Sequence, residues 1–208
     1  MTLEGVDGSG KTTQLELLIA RLEAAGHSPV RVQEPGGTRI GLDIRKILLD
    51  KANTDLDPTA ELLLYFASRA QNIAEVIRPA LAKGRVVIAD RFTDATMAYQ
   101  GYGRAMGADV IRAVETIACG TLRPDLTLWL DIDPDVSVAR ALDRNPSTAT
   151  DETRMEQEGQ EFYQRVRLGY QEIAAAEPDR VVRIEASGTI EEVADSVWSA
   201  VSSRLAAK

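Results

Sequence analysis

"LEGVDGSGKTTQ", residues 3–14, puts three glycines within six positions and follows them with one lysine and two threonines. Residues Gly5 to Thr12 fit the spacing G-x-x-x-x-G-K-[ST]. Successive backbone N–H groups can wrap an anion only where side chains do not obstruct the approach, which is what glycines at this spacing provide. The apolar residues before the loop read as the end of a strand. The pattern after it, with Leu15, Leu18 and Leu22 on one face and Gly26 as the stop, reads as a helix. A helix opening there aims its positive end and its unpaired N–H groups at the same anion. The strand–loop–helix context makes this a phosphate-binding loop for a nucleoside triphosphate, formed by Gly5, Asp7, Gly8, Ser9, Gly10, Lys11, Thr12 and Thr13. Lys11 supplies a charge for the β- and γ-phosphates, and the Thr12 hydroxyl is a ligand for Mg²⁺. The glycine fingerprint of dinucleotide-binding folds fails, because no glycine follows Gly10 by three residues.

Outward from the loop, strand and helix patterns alternate along the whole chain. "PVRVQ", "RVVIAD", "LTLWLDI" and "RVVRIEA" join the residues before the loop as five strand candidates. The middle ones are continuous apolar runs, as expected of parallel strands buried on both faces. The first strand is short, as if the sequence began within it. Helical patterns fill the intervals, with an interruption near Pro79, an irregular stretch over 93–119 and one long helix expected over 152–177. The fold expected is α/β: a P-loop three-layer sandwich with a central parallel five-stranded sheet and helices on both faces. Residues 1–208 are expected to form a single domain.

The chain carries 24 Lys and Arg against 32 Asp and Glu, a formal charge of −8. An acidic surface is a poor partner for nucleic acid or an anionic membrane, so phosphates must be met in a local basic pocket. No apolar run is long enough to span a bilayer, and no signal peptide is expected at the N-terminus. The single cysteine, Cys119, forms no intrachain disulfide and suits a reducing, cytoplasmic setting. It reads as a small core residue. His27 stands in a turn away from every motif, and no Cys/His cluster suggests zinc.

Asp90 closes "VVIAD". A carboxylate at the carboxyl end of a buried strand beside a phosphate loop can hold the Mg²⁺ shell through water. The base-reading N/T-K-x-D motif of GTP switches is absent, which leaves the small phosphotransferases as the main class at this length. Their acceptor and the γ-phosphate repel one another, so such a site needs cations beyond Lys11. Arg45, Arg69 and Arg91 are candidates. Arg140, Arg144 and Arg154 flank the Ser/Thr-rich stretch "NPSTATDET", which reads as a closing lid at about 140–156.

With these motifs in order the chain resembles the thymidylate kinases, which phosphorylate dTMP with ATP. The resemblance rests on "EGVDGSGKTTQ", "EPGGT" at 34–38, "YFASRAQ" at 65–71, "DRF" at 90–92, "AYQG" at 98–101, "RPDLTLWLDIDP" at 123–134 and "TRMEQEGQEFYQRVR" at 153–167. It implies that Asp7 accepts a hydrogen bond from the 3′-hydroxyl of dTMP, and that Arg91 and Arg45 hold the dTMP phosphate. Tyr65 would stack on thymine, Arg69 would meet its O4 edge, and Thr96 and Gln100 its far edge. Tyr99 would crowd the 2′ position against ribonucleotides. The family keeps a catalytic arginine either in the P-loop or in the lid. The P-loop positions Val6, Asp7, Gly8 and Ser9 include no arginine, so the bacterial lid-arginine branch is implied, with Arg144 first and Arg140 and Arg154 behind it. A homodimer follows from the resemblance alone. Three departures stand out: Tyr65 where the family commonly has Phe, Gln33 where it has Arg, and the Ser/Thr-rich lid. The alternatives are a P-loop kinase for another nucleotide or a deoxynucleoside acceptor, which would not need Arg45 and Arg91 if its acceptor lacked a phosphate, and a silent nucleotide-binding module, which would not need Lys11, Thr12, Asp90 and the lid arginines together.

Overall fold

A computed structural model describes residues 1–133, 135–137 and 154–206. Five strands form one sheet: β1 (Thr2–Glu4), β2 (Pro29–Gln33), β3 (Val86–Asp90), β4 (Thr127–Asp131) and β5 (Val181–Glu185). Their order is β2-β3-β1-β4-β5, and every pairing is parallel. The expected α/β sheet is therefore present. β4 is buried along its whole length, which explains its unbroken apolar run.

The chain leaves β1 for the sheet edge at β2, returns to β3 beside β1, and then crosses to β4 on the other side. The loops after β1 and β3 consequently diverge from neighbouring strand ends at the point where the strand order reverses, where open α/β sheets bind ligands. Helices α1 (Lys11–Ala24), α2 (Arg39–Leu49), α3 (Pro58–Asn72), α4 (Arg78–Ala82), α5 (Thr93–Thr96), α6 (Ala108–Cys119), α7 (Gln160–Ala176) and α8 (Ile190–Ala206) cover the sheet. One core includes Leu15, Leu18, Leu128, Trp129, Val166 and Val197. A second, on the other side of β3, gathers Val32, Leu62, Phe66, Val87 and Cys119.

Both α2 and α3 start on side-chain caps. Thr38 accepts from Gly41 N at 2.9 Å at α2, and Asp57, followed by Pro58, accepts from Thr59 N at 2.8 Å at α3. The interruption expected near Pro79 is a π-helical stretch, Ile73–Ile77, ahead of α4. A second π-helical stretch, Met97–Gly103, underlies the irregular pattern between 93 and 119. The long helix expected over 152–177 is a correction. Arg154–Gln157 forms a 3₁₀ turn, and α7 starts only at Gln160, with extended Gly159 as its N-cap. Arg154 is drawn away to partners on α2 and α3, which opposes a continuous helical path. Arg140, Arg144 and most of the expected lid lie outside the described residues.

Candidate active site

The loop after β1 takes its shape from backbone freedom and close packing. Gly5, Gly8 and Gly10 have φ of 140°, 82° and 88°. A Cβ on Gly8 would lie 2.3 Å from the Ser137 carbonyl oxygen, and one on Gly5 would lie 2.5 Å from that of Leu130. The Ser137 hydroxyl donates to the Asp7 carbonyl, so the segment after β4 braces the loop. Gly10 caps α1, whose first turn carries no acidic residue to offset its positive end. Lys11 is buried inside the loop and donates to the carbonyls of Val6 (2.8 Å) and Gly5 (3.1 Å). Burial, then the Arg91 charge, pulls the Lys11 ammonium down to about 8. Ser9 is buried with its Oγ unpaired within the loop. Thr12 and Thr13 stand exposed on the first turn of α1.

β3 ends at half-buried Asp90, one of the carboxylates whose charge acts on Lys11. Among the described residues no three His, Cys, Asp or Glu side chains form a metal cage. One hydroxyl and one carboxylate suit Mg²⁺, which keeps several waters and takes its remaining ligands from phosphates.

Arg91 follows with φ of 70°, a left-handed conformation that costs a non-glycine residue on the order of 1–2 kcal/mol. Its surroundings enforce that conformation. The Arg91 N–H donates to Leu3 O at 3.0 Å, Nη1 to Gly5 O at 2.9 Å, and Nη2 to Asp7 at 2.7 Å and to the Tyr99 hydroxyl at 3.2 Å. Its guanidinium carbon lies 4.9 Å from the Tyr99 ring centroid. Asp7, Arg91 and Tyr99 thus come together at the mouth of the phosphate loop. Burial pushes the Tyr99 hydroxyl far above its ordinary range, so it remains a neutral donor.

The residues expected to meet the base sit on two facing segments. Glu61, Tyr65 and Arg69 share one face of α3 at four-residue spacing. Burial lifts the Tyr65 hydroxyl to about 12, with Glu61, Arg154, Arg91 and Asp7 as its charged surroundings. Arg69 is buried. It donates to Glu34 at 2.6 Å, to Thr96 at 2.9 Å and to the Phe92 carbonyl at 2.9 Å, and packs over Phe66 and Phe92. Burial pushes Glu34 upward against the pull of Arg69. Gln100, also buried, donates from Nε2 to Glu61 at 2.8 Å. The loop 34–38 rests on α3 through Gly36 N to Ser68 Oγ, 3.1 Å, while Arg45 of α2 donates to the Pro35 carbonyl at 2.9 Å.

Of the three arginines expected around the lid, Arg154 lies among the described residues. It is buried and donates to Glu61 at 2.6 Å and to the Leu48 carbonyl at 2.5 Å.

Three acidic or hydroxyl groups were not singled out by sequence. Glu4 is fully buried behind the loop, accepting from Phe92 N at 2.7 Å and from the Tyr170 hydroxyl at 3.0 Å. A carboxylate inside a strand buried on both faces was its one signal. Glu61 gathers Gln100, Arg104 and Arg154, and its place four residues before Tyr65 could have marked it. Ser137 had no sequence signal, since its contact with the loop is set by the sheet order.

A family model described as thymidylate kinase matches residues 3–197. A thymidylate kinase of Solidesulfovibrio magneticus is 49% identical over 207 residues, covering 99% of each chain. One from a Synechococcus strain is 50% identical over 205 residues, covering 99% of this chain and 95% of that one. The crystal structure of thymidylate kinase from Ehrlichia chaffeensis superposes with a TM-score of 0.76 at 33% identity, covering 97% of this chain and 96% of that one. The chain belongs to the thymidylate kinase family.

Proposed function

We infer that this chain transfers the γ-phosphoryl group of ATP to dTMP, giving dTDP and ADP. The observation that carries the reading is Arg91: a second cation fixed at the mouth of the phosphate loop, locked to Asp7, Tyr99 and the Gly5 carbonyl. A loop that only bound or hydrolysed ATP would not need it there. An anionic acceptor approaching the γ-phosphate does.

The roles are those the resemblance implies, and the positions described above support them. The N–H groups of Gly5 to Thr13 and the Lys11 ammonium hold the triphosphate. Lys11 would exchange two carbonyl partners for phosphate oxygens. Thr12 directly, and Asp90 through water, would hold Mg²⁺, which neutralises charge on the transferring group when bound. Arg91, with Arg45 beside the 34–38 loop, takes the dTMP phosphate. Asp7, on the same guanidinium, accepts from the sugar hydroxyl, so one ion pair sets both ends of the acceptor's deoxyribosyl phosphate. Tyr65 stacks on the base, and Arg69, Thr96 and Gln100 supply its polar edge. Tyr99 fills the space beside the sugar. The acceptor oxygen attacks the γ-phosphorus in line while the bond to the β,γ-bridging oxygen breaks.

A lid arginine completes the neutralisation. Arg154 would have to leave both Glu61 and the Leu48 carbonyl to do so, which favours Arg144, with Arg140 the next candidate. Exposed Ile40, Leu42 and Ile47 on α2, Leu63 on α3, and Val110 and Ile117 on α6 support a homodimer. A monomer mass by light scattering would remove that part. Among the described residues no helix is long and apolar enough to cross a membrane. The single cysteine supports a cytoplasmic enzyme and the acidic charge one with no nucleic-acid partner, which cell fractionation and a filter-binding assay check.

A coupled ADP-release assay with ATP and Mg²⁺ across dTMP, dUMP, UMP, dCMP, AMP and thymidine tests the reading. Turnover should favour dTMP strongly. Preference for thymidine or AMP would overturn the acceptor assignment and leave the triphosphate site standing.

A further inference from the structure

Glu61 is a carboxylate at 1% exposure on α3, and none of its partners comes from its own helix. Gln100 Nε2 donates to its Oε1 at 2.8 Å. Arg104 donates to Oε1 at 3.3 Å and to Oε2 at 3.2 Å, and Arg154 to Oε2 at 2.6 Å. Arg104 is held in turn by Glu158 at 2.5 Å and lies over the Phe162 ring. The two guanidinium groups and the Gln100 amide outweigh burial and hold the Glu61 carboxyl below its ordinary range, so it is an acceptor on both oxygens.

A side-chain amide has two nearly isosteric orientations, and only its neighbours choose between them. An ionised carboxylate has no proton to give, so Gln100 must turn its NH₂ toward Glu61. Its carbonyl Oε1 then points the other way, and it has no donor among the described residues. We propose that Glu61 is the positioning residue for base selection: it locks the Gln100 amide with the carbonyl toward the acceptor's base, so that the site accepts a pyrimidine carrying N3–H and rejects one whose N3 is an acceptor. This rests on the dTMP reading above, in which Gln100 meets the base edge. Thymine and uracil carry N3–H. Cytosine presents a bare N3, which would face the Gln100 carbonyl lone pairs with no proton between them.

The consequence of Glu61→Gln is specific. The new amide oxygen belongs at the Oε2 position, where Arg154 and Arg104 both donate. That leaves the new NH₂ facing the Gln100 NH₂, two donors in contact. Gln100 relieves the conflict by turning over, which presents its NH₂ to the base and inverts the selection. A swap, Glu61→Gln with Gln100→Glu, keeps the charge count: the amide introduced on α3 donates its NH₂ to the new carboxylate on the facing segment, whose other oxygen again accepts N3–H.

The test is kcat/KM for dTMP, dUMP and dCMP in the wild type, in E61Q and in the swap, with thermal melts alongside. In E61Q the dTMP-to-dCMP ratio should fall at least about tenfold, mainly through KM. The dTMP-to-dUMP ratio should stay within about twofold, since both bases carry N3–H, and the swap should return the first ratio toward wild type. A dTMP-to-dCMP ratio unmoved in folded E61Q overturns the proposal. So does a parallel fall of both ratios, the mark of a merely loosened pocket. Should E61Q not fold, the swap decides: a wild-type-like ratio supports the lock, and a ratio near one overturns it. Wild-type enzyme that fails to prefer dTMP would overturn the function assigned above, which is a separate result.

Discussion

Arg91 concentrates the chemistry of the site at a single position. Its backbone is left-handed, its guanidinium makes three side-chain hydrogen bonds, and two of these reach the phosphate loop or the Asp7 carboxylate within it. A strained residue held this firmly is pre-organised, so a phosphate meeting it has little ordering left to impose. In the role proposed above, replacing Arg91 with Ala removes a charge-assisted contact to the acceptor phosphate, along with the ion pair to Asp7. We expect the dTMP KM to rise about 100-fold, the loss of roughly 3 kcal/mol typical of such contacts, with the ATP KM changed only a few-fold. Steady-state kinetics with each substrate varied in turn checks this. Equal rises in both constants would mean that Arg91 supports the loop rather than the acceptor.

At the level of elements, the proposed acceptor pocket depends on how α7 seats the π-helical stretch Met97–Gly103, which carries Tyr99 and Gln100. The seat is tight. A Cβ on Gly169 would lie 2.9 Å from the Tyr102 ring and 3.0 Å from the Ala98 Cα, and one on Gly103 would lie 2.7 Å from the Phe162 ring. Gly169→Ala should therefore cost about 1–3 kcal/mol by overpacking, lower the melting temperature by roughly 2–10 °C, and raise the dTMP KM more than the ATP KM. Differential scanning calorimetry with kinetics reads both, and an unchanged melting temperature would show that the contact is soft. The same contact shows where sequence stopped being informative. The phosphate loop and the parallel strands were legible because backbone shape and two-sided burial write themselves into local composition. The π-helical widening was not, because the surface it packs on, Gly169 included, lies far along the chain on another helix. The start of α7 was misplaced for a related reason. Residues 152–158 read as helix formers, while Gly159 is extended and Glu61 and Leu48 draw Arg154 into a 3₁₀ turn ahead of it. Residue assignments taken from motif order depend on the resemblance, whereas Glu4 and Glu61 acquire meaning only from partners far along the chain.

Across the whole molecule a consequential buried acid is Glu4. It joins the sheet to both neighbouring layers, accepting from Phe92 after β3 and from Tyr170 on α7, whose ring stacks on Trp129 of β4. Burial first, and the charge of Asp94 next, lift its carboxyl from an ordinary 4.5 to about 8. The folded protein therefore holds a proton at neutral pH that the unfolded chain releases near pH 4.5. Linkage fixes the sign: this group's contribution to stability is fully present below about pH 4.5, declines across the interval, and is lost once pH rises through about 8. Glu4→Gln keeps the shape, with its carbonyl accepting from Phe92 and its NH₂ facing Tyr170, and removes the titration. The variant should match or trail the wild type at pH 5 and overtake it as pH rises. The gap between their melting temperatures should open by a few degrees per pH unit, following on the order of 1 kcal/mol per unit, up to about pH 8. Thermal melts of both proteins from pH 5 to 9 measure that gap. A gap that stays constant over the range would mean that Glu4 is ionised in the fold, with Arg91 compensating its charge, and that no proton is taken up at this position on folding.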